Sequence, residues 1–159
     1  MWINEWLNYW IEMNENKIVL NYGYDVWMNE WWISDDGPGS LREGCRRIEP
    51  LWIVFEVSGT IQLSSYLSVS SYKTIDGRGQ RVKLTGKGLR LKECEHIIVC
   101  NLEFEGGRGH DVDGIQIKPN SRHIWIDRCT LRDYDDGLID ITRQSTDITV
   151  SRWAHSLHF

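Results

Sequence analysis

Asp113-Gly114 in GHDVDGIQIKP and Asp136-Gly137 in DYDDGLIDITR lie 23 residues apart, and each opens a short apolar run. Asp111, Asp135 and Asp140 gather around them. One turn of a parallel β-helix consumes roughly 20–30 residues, so equivalent positions of successive turns stack about 4.8 Å apart. Carboxylates that close repel unless a cation joins them. The spacing therefore predicts a metal site assembled from successive coils of a solenoid. Asp111 precedes Asp113 by two residues, which on an extended strand turns both side chains to one side. Asp113 and Asp136 share a column. Aligned on its glycine, Asp140 falls with Leu91 and Ile117, where a carboxylate is costly to bury unless paired or metal-bound. Asp111, Asp113, Asp136 and Asp140 together suit a hard, oxygen-preferring ion, and Ca²⁺ accepts irregular geometry more readily than Mg²⁺. Either Asp-Gly step alone is ordinary turn chemistry. Two in register, with flanking acids, point to a cation.

The elements that must position these groups are short and β-rich. LWIVFEVSGTIQL, VKLTGKGLRL, HIIVCNLEFEG, GIQIKP, HIWIDRCTL and DITVSRW are separated by Gly, Asn, Asp or Ser, and no convincing helix follows the SLREGCRR stretch. Segments starting at Gly88, Gly114 and Gly137 repeat one pattern. Their alignment puts Ile97, Ile124 and Ile148 in one column and Val99, Ile126 and Val150 in the next alternate one. Cys100, Asp127 and Ser151 follow, then Asn101, Arg128 and Arg152, then Leu102, Cys129 and Trp153. Period-two alternation turns one face inward, and the repeat stacks coil on coil, so the inward columns form aliphatic ladders. A β-sandwich would need two-residue hairpin loops between adjacent runs, and these are missing. The bulk of Trp153 in a column with Leu102 and Cys129 predicts local overpacking.

Residues 1–33 differ. Six of the nine tryptophans fall within residues 1–32, and Trp2, Trp6 and Trp10, beside Ile3, Leu7 and Ile11, form the stripe of an amphipathic helix over residues 2–13. Its polar face is acidic, unlike that of a membrane-surface helix, so it is expected to cap the end of the core. Residues 17–24 read as a strand ending at a Gly turn. The division is thus a cap segment at 1–33 and a partial parallel β-helix at 34–159, with SDDGPGS as the loop between them.

The net charge of −5 argues against nucleic acid as a partner. Residues 1–36 hold seven acids and one lysine, whereas the remainder is nearly balanced. No apolar run approaches the ~20 residues that span a membrane, and the first residues lack the basic start and cleavage site of a secretion signal. Cys45, Cys94, Cys100 and Cys129 show no CxxC spacing and read as small packed thiols. A monomer is expected.

DDGPGSLREGC, WIVFEVSGTI, YKTIDGRG, HIWIDRC and DGLIDIT, in that order, resemble the pectate lyases of polysaccharide lyase family one, the plant branch above all, over residues 34–152. The resemblance implies an all-β fold, a right-handed, single-stranded parallel β-helix. It implies Ca²⁺-dependent β-elimination of polygalacturonate, an acidic polysaccharide, and work in the cell wall outside the cell. In that family carboxylates of the kind at Asp111 or Asp113, with Asp136 and Asp140, hold Ca²⁺, which bridges to a uronate carboxylate, and an arginine takes the C5 proton. The arginine motif of the RxPRxRxG kind, downstream of DGLID in the family, is absent from these 159 residues, as is the lysine of a His-Asp-Lys context. Residues 1–33 match nothing in the family's Gly-rich opening. No residue is therefore assigned as catalytic base, and weak or absent lyase activity is expected. Arg128, Arg152, His123, His155 and His158 read as turn, structural or surface groups. The alternatives are a non-catalytic β-helical module that binds calcium or acidic polysaccharide, and a truncated or engineered solenoid fragment.

Overall fold

In the computed structural model, residues 17–20, 23–25, 30–32 and 35–156 are described, the side chains of 23–25, 30–32, 155 and 156 excepted. The tryptophan stripe over residues 2–13, and His158, lie outside them. The first strands are β1 (Lys17–Leu20), β2 (Gly23–Asp25) and β3 (Glu30–Trp32), followed by the helix α1 (Leu41–Arg46). The coils then follow. β4 (Leu51–Phe55), β5 (Gly59–Gln62) and β6 (Leu67–Ser68) make the first, and β7 (Lys73–Asp76), β8 (Val82–Thr85) and β9 (Leu89–Leu91) the second. β10 (Glu95–Cys100), β11 (Glu103–Glu105) and β12 (Ile115–Ile117) make the third, and β13 (Arg122–Asp127), β14 (Thr130–Arg132) and β15 (Ile139–Ile141) the fourth. β16 (Thr146–Ser151) and β17 (Ala154–Ser156) begin a fifth.

Corresponding strands pair in parallel into three sheets, of six (β1, β4, β7, β10, β13, β16), five (β5, β8, β11, β14, β17) and four strands (β6, β9, β12, β15). The chain is therefore the expected parallel β-solenoid. The predicted columns are real: Ile97 pairs with Ile124 and Ile124 with Ile148, while Val99 pairs with Ile126 and Ile126 with Val150. Ile53 and Ile75 extend the second ladder downward. Short strands hold because each β-branched side chain lands on its equivalent one coil below, and Ile53, Ile75, Val99 and Ile126 are all 0% exposed. Trp153 is 42% exposed, so its column is not overpacked there.

The first coil is closed by α1. Ser40 caps it, its Oγ accepting from the Glu43 amide at 3.1 Å. Leu41 and Cys45 are fully buried, and the helix packs on β4 and β6. Gly44 lets it approach, since a Cβ there would stand 3.0 Å from Ile53 Cδ1. β1, from within the segment set apart as 1–33, pairs in parallel with β4 in the six-stranded sheet. All four cysteines are buried thiols, and burial pushes Cys45 up to about 12 and Cys94 up to about 11, far from a reactive thiolate.

Candidate metal centre

The aspartates meet on the outer face of the four-stranded sheet, at the start of β12 and β15. One carboxylate oxygen from each of Asp111, Asp113 and Asp136 lies within 4.8 Å of the others. Asp113 is 2% exposed, whereas Asp111 and Asp136 are open to solvent. Asp111 arrives by a route other than the one its spacing predicts. Its φ of 56° places it in a left-handed turn, not on an extended strand, so the turn carries its carboxylate to the cluster.

Asp113 and Asp136 do stack. The Asp136 amide donates to the Val112 carbonyl at 3.3 Å, the parallel-ladder bond that sets Asp136 over Asp113. The next bond comes one residue late. The Gly114 amide donates to Gly137 O at 3.2 Å and the Ile115 amide to Leu138 O at 2.9 Å. Gly137 is thus an extra residue in the upper coil, as in a bulge. It must be small, because a Cβ there would lie 2.5 Å from Asp113 Oδ1.

That extra residue moves Asp140. The glycine-anchored alignment put it over Ile117 and Leu91, but Asp140 pairs with Gln116, and Gln116 with Arg90. Ile141 takes the place above Ile117. Asp140 therefore belongs to an outward polar column, Ser68, Arg90, Gln116 and Asp140, and no apolar column is interrupted. Its Oδ2 accepts from Lys118 Nζ at 3.0 Å. Although burial opposes its charge, the hydrogen bond it donates to Asp140 and the surrounding carboxylates hold the Lys118 ammonium above the usual lysine range. Asp135 is drawn elsewhere: it accepts from the Gly109 amide at 2.7 Å and pairs with Arg108.

Four residues that the sequence reading passed over organise the cluster. Gln116, fully buried, donates through Nε2 to Asp113 Oδ2 at 2.9 Å and to the Asp111 carbonyl at 3.1 Å. Its Oε1 accepts from Arg90 Nε at 3.0 Å. The Arg90 guanidinium lies over the Tyr66 ring, 4.1 Å from its centre. The Tyr66 hydroxyl donates to the Asp111 carbonyl at 2.9 Å and accepts from the Asp113 amide at 3.1 Å. Arg42 of α1 fixes the turn beneath by donating to the carbonyls of Ser65 and Tyr66, both at 2.9 Å, and to Asp35 Oδ1. The DDGPGSLREG stretch thus has a use beyond its loop: it seats the tyrosine that seats the aspartates.

The electrostatics leave Asp113 under-compensated. Burial above all, and then the neighbouring charges of Asp136, Asp140 and Asp111, push its carboxyl above the usual range against the opposing Gln116 hydrogen bond. A clustered, oxygen-only donor set with a buried carboxylate fits a hard divalent ion, and Ca²⁺ before the more demanding Mg²⁺.

Arg128 and Arg152, by contrast, serve the fold. Both have left-handed φ in the turn after the six-stranded sheet, and both pair with Asp127, which is 3% exposed. Arg152 grips both its oxygens, at 2.8 and 2.7 Å, and the Ser151 hydroxyl donates at 2.8 Å. Burial raises the Asp127 pKa, but these partners outweigh it and hold the carboxyl below its ordinary range. A depressed carboxyl contributes stability at pH above its unfolded pKa and loses it as pH falls through the folded one. Asp127→Asn is therefore expected to lower the melting temperature at pH 7 by a few degrees, for a cost of about 1–2 kcal/mol. The gap to wild type should shrink toward pH 3. A constant gap in calorimetric scans across that range would show that charge is not what Asp127 contributes.

No family model matches the chain. It is 45% identical to the probable pectate lyase 13 of Arabidopsis thaliana over 124 residues, which is 72% of this chain and 25% of that protein. To the pectate lyase of Nicotiana tabacum it is 40% identical over 138 residues, 75% of this chain and 34% of that one. Among solved structures it is similar to jun a 1, the major allergen from cedar pollen, with a TM-score of 0.67 and 31% identity over 85% of this chain and 42% of that chain. The chain thus spans about a quarter to a third of the length of these curated relatives.

Proposed function

We propose, for a chain that belongs to the pectate lyase family over its solenoid coils, that the Asp111–Asp113–Asp136 cluster binds Ca²⁺ and, through it, polygalacturonate outside the cell. The meeting of three carboxylates on one face, with Asp113 buried among them, carries this reading. Asp111, Asp113 and Asp136 would hold the ion, with Asp140 beside them. A bound calcium supplies charge neutralisation at a uronate carboxylate, which acidifies the adjacent C–H.

The protein's own groups do the rest. Gln116 and Tyr66 fix the direction of Asp113 and the carbonyl of Asp111, so the cluster is organised before an ion arrives. Arg90 and Lys118 border it on one strand face and offer positive charge to a polyanion that would otherwise meet only acids. The 159 residues hold no RxPRxRxG motif, and the turn arginines Arg128 and Arg152 are engaged by Asp127, away from the cluster's sheet. Binding should therefore far outstrip turnover in this polypeptide.

Calorimetry with oligogalacturonate tests this. Binding is expected in millimolar calcium and not in excess chelator, with little unsaturated product by ultraviolet absorbance. Equal binding with and without calcium would remove the metal from the reading, and brisk turnover would show that a base exists among these residues. Lys118→Ala is expected to weaken oligogalacturonate binding roughly twofold to fivefold, as suits a solvent-accessible charge, with a shallower salt dependence. A variant indistinguishable from wild type at low salt would take Lys118 out of the site. Among the described residues no helix is long and apolar enough to cross a membrane.

A further inference from the structure

A second set of ligand atoms lies on the six-stranded sheet, independent of the calcium reading. Tyr72, His96, His123 and Asp147 occupy the same position in four successive coils, immediately before or at the start of the inward Ile ladder. All four have left-handed φ, of 61°, 57°, 54° and 55°. That conformation is costly for a residue with a Cβ. Its recurrence in four successive coils swings these side chains out of the sheet into a single stack. The His96 ring lies 5.0 Å from Tyr72, nearly parallel, and 4.6 Å from His123.

The stack brings imidazole nitrogens together. His123 Nδ1 stands 3.3 Å from His96 Nε2. Two ligands each about 2.0–2.1 Å from one zinc ion, at a tetrahedral angle, are separated by about 3.3–3.4 Å. Glu95 adds a carboxylate: one oxygen from it and one nitrogen from each histidine lie within 4.8 Å of one another. The glutamate is held in place, accepting from Arg122 Nε at 2.6 Å and from the Tyr72 hydroxyl at 3.1 Å. Behind His123, Asp147 Oδ2 stands 3.6 Å from Nε2. That is an ion-pair distance, and closing it by a few tenths of an ångström would give the carboxylate–imidazole hydrogen bond that fixes a ligating histidine's tautomer and raises its basicity. Glu95, His96 and His123 are all half-buried, so solvent can occupy a remaining coordination position.

We propose that Glu95, His96 and His123 form a site for a divalent transition-metal ion of the zinc type, with Asp147 orienting His123. Mixed imidazole and carboxylate donors select such ions, whereas the all-oxygen aspartate cluster selects calcium, so the two sites differ in chemistry as well as in place. The Arg122 guanidinium on Glu95 opposes a cation and sets a limit on affinity. Both imidazoles would bind through neutral nitrogens, so the metal competes with protons for the site.

Cobalt(II) titration of the full chain, with calcium present in excess, is the test. One equivalent should give the strong visible bands of a tetrahedral or five-coordinate ion, and zinc should bleach them. His96→Gln and His123→Gln should each weaken cobalt binding by at least roughly 10–100-fold, and Asp147→Asn by about tenfold, while His110→Gln leaves the titration unchanged. Nitrogen-15 NMR of wild-type imidazoles under zinc covers the case in which a variant fails to fold. Shifts confined to His96 and His123 support the site. Bands that survive in the His96→Gln, His123→Gln double variant, shifts assigned to His110, His155 or His158, or no spectral change at all would overturn it.

Discussion

Asp113→Asn is expected to raise the melting temperature of the calcium-free protein and to abolish the rise that calcium produces in wild type. The two halves have one cause. Asp113 is 2% exposed and lies among the charges of Asp136, Asp140 and Asp111, so its carboxyl titrates above the usual range. An acid whose pKa is raised by folding binds its proton more readily in the native state. Stability therefore falls as pH rises from the ordinary carboxylate pKa through the raised one, and stays at the lower value at neutral pH. Asparagine removes that penalty while its side-chain oxygen can still accept the Gln116 hydrogen bond. Calcium reverses the penalty in wild type by giving the charge a partner. At a hundredfold excess over Kd, binding adds about 2.7 kcal/mol, which for a chain of this size is a rise of roughly 5–10 °C. Differential scanning calorimetry of both proteins, in chelator and in calcium, reads all four values. If calcium stabilises Asp113→Asn as much as wild type, the aspartate cluster is not where the ion binds. If the chelated variant melts below wild type, Asp113 is satisfied without a cation.

The ladders and half of this site are legible in the sequence for the same reason. In a solenoid, residues that touch are one coil apart, so a repeat in the sequence is already a contact. EHIIVC, RHIWID and TDITVS align by eye, and their Ile and Val columns are the observed pairs. Asp113 over Asp136 follows in the same way. Asp140 does not, because anchoring the repeats on their glycines hides an inserted residue. The alternation was the better guide: IQI in β12 and IDI in β15 superpose only if Gly137 is extra, and that places Asp140 on Gln116. The groups that orient the cluster were out of reach for another reason. Tyr66 reaches Asp111 and Asp113 from two coils below, and Arg42 reaches Tyr66 from a helix outside the repeat, contacts that no periodicity encodes. His96 and His123 stood in one column all along, but a column of histidines becomes a candidate site only once the left-handed turn shows which way the rings project.

Phe104→Ala is expected to cost about 3–5 kcal/mol, the largest stability loss for any single side chain considered, and to do so without weakening calcium binding to the molecules that remain folded. Phe104 is 0% exposed in β11, stacked between Leu84 below and Leu131 above, with Ile61 one coil further down. Its ring is the one aromatic step between Ile61 and Leu131 in that column. Truncation leaves a void that neither Leu84 nor Leu131 can fill, because the ladder bonds at Glu103 and Glu105 hold β11 at fixed spacing from both neighbours. The melting temperature should fall by roughly 6–20 °C. In a solenoid each coil is supported only by the coils beside it, so the weakened step lies between the second and fourth coils, and the transition should broaden as the two sides begin to melt separately. The aspartate cluster is built on the four-stranded sheet from Asp111 to Asp140, on coils that remain stacked through the six-stranded ladder of Val99 and Ile126. Calcium titration well below the melting temperature should then give a Kd within about twofold of wild type, the additivity expected of sites that share no partner. A large loss of calcium affinity at a temperature where circular dichroism shows the variant fully folded would mean that the two sheets are coupled through the core, and that the metal centre is positioned by packing as much as by Gln116 and Tyr66.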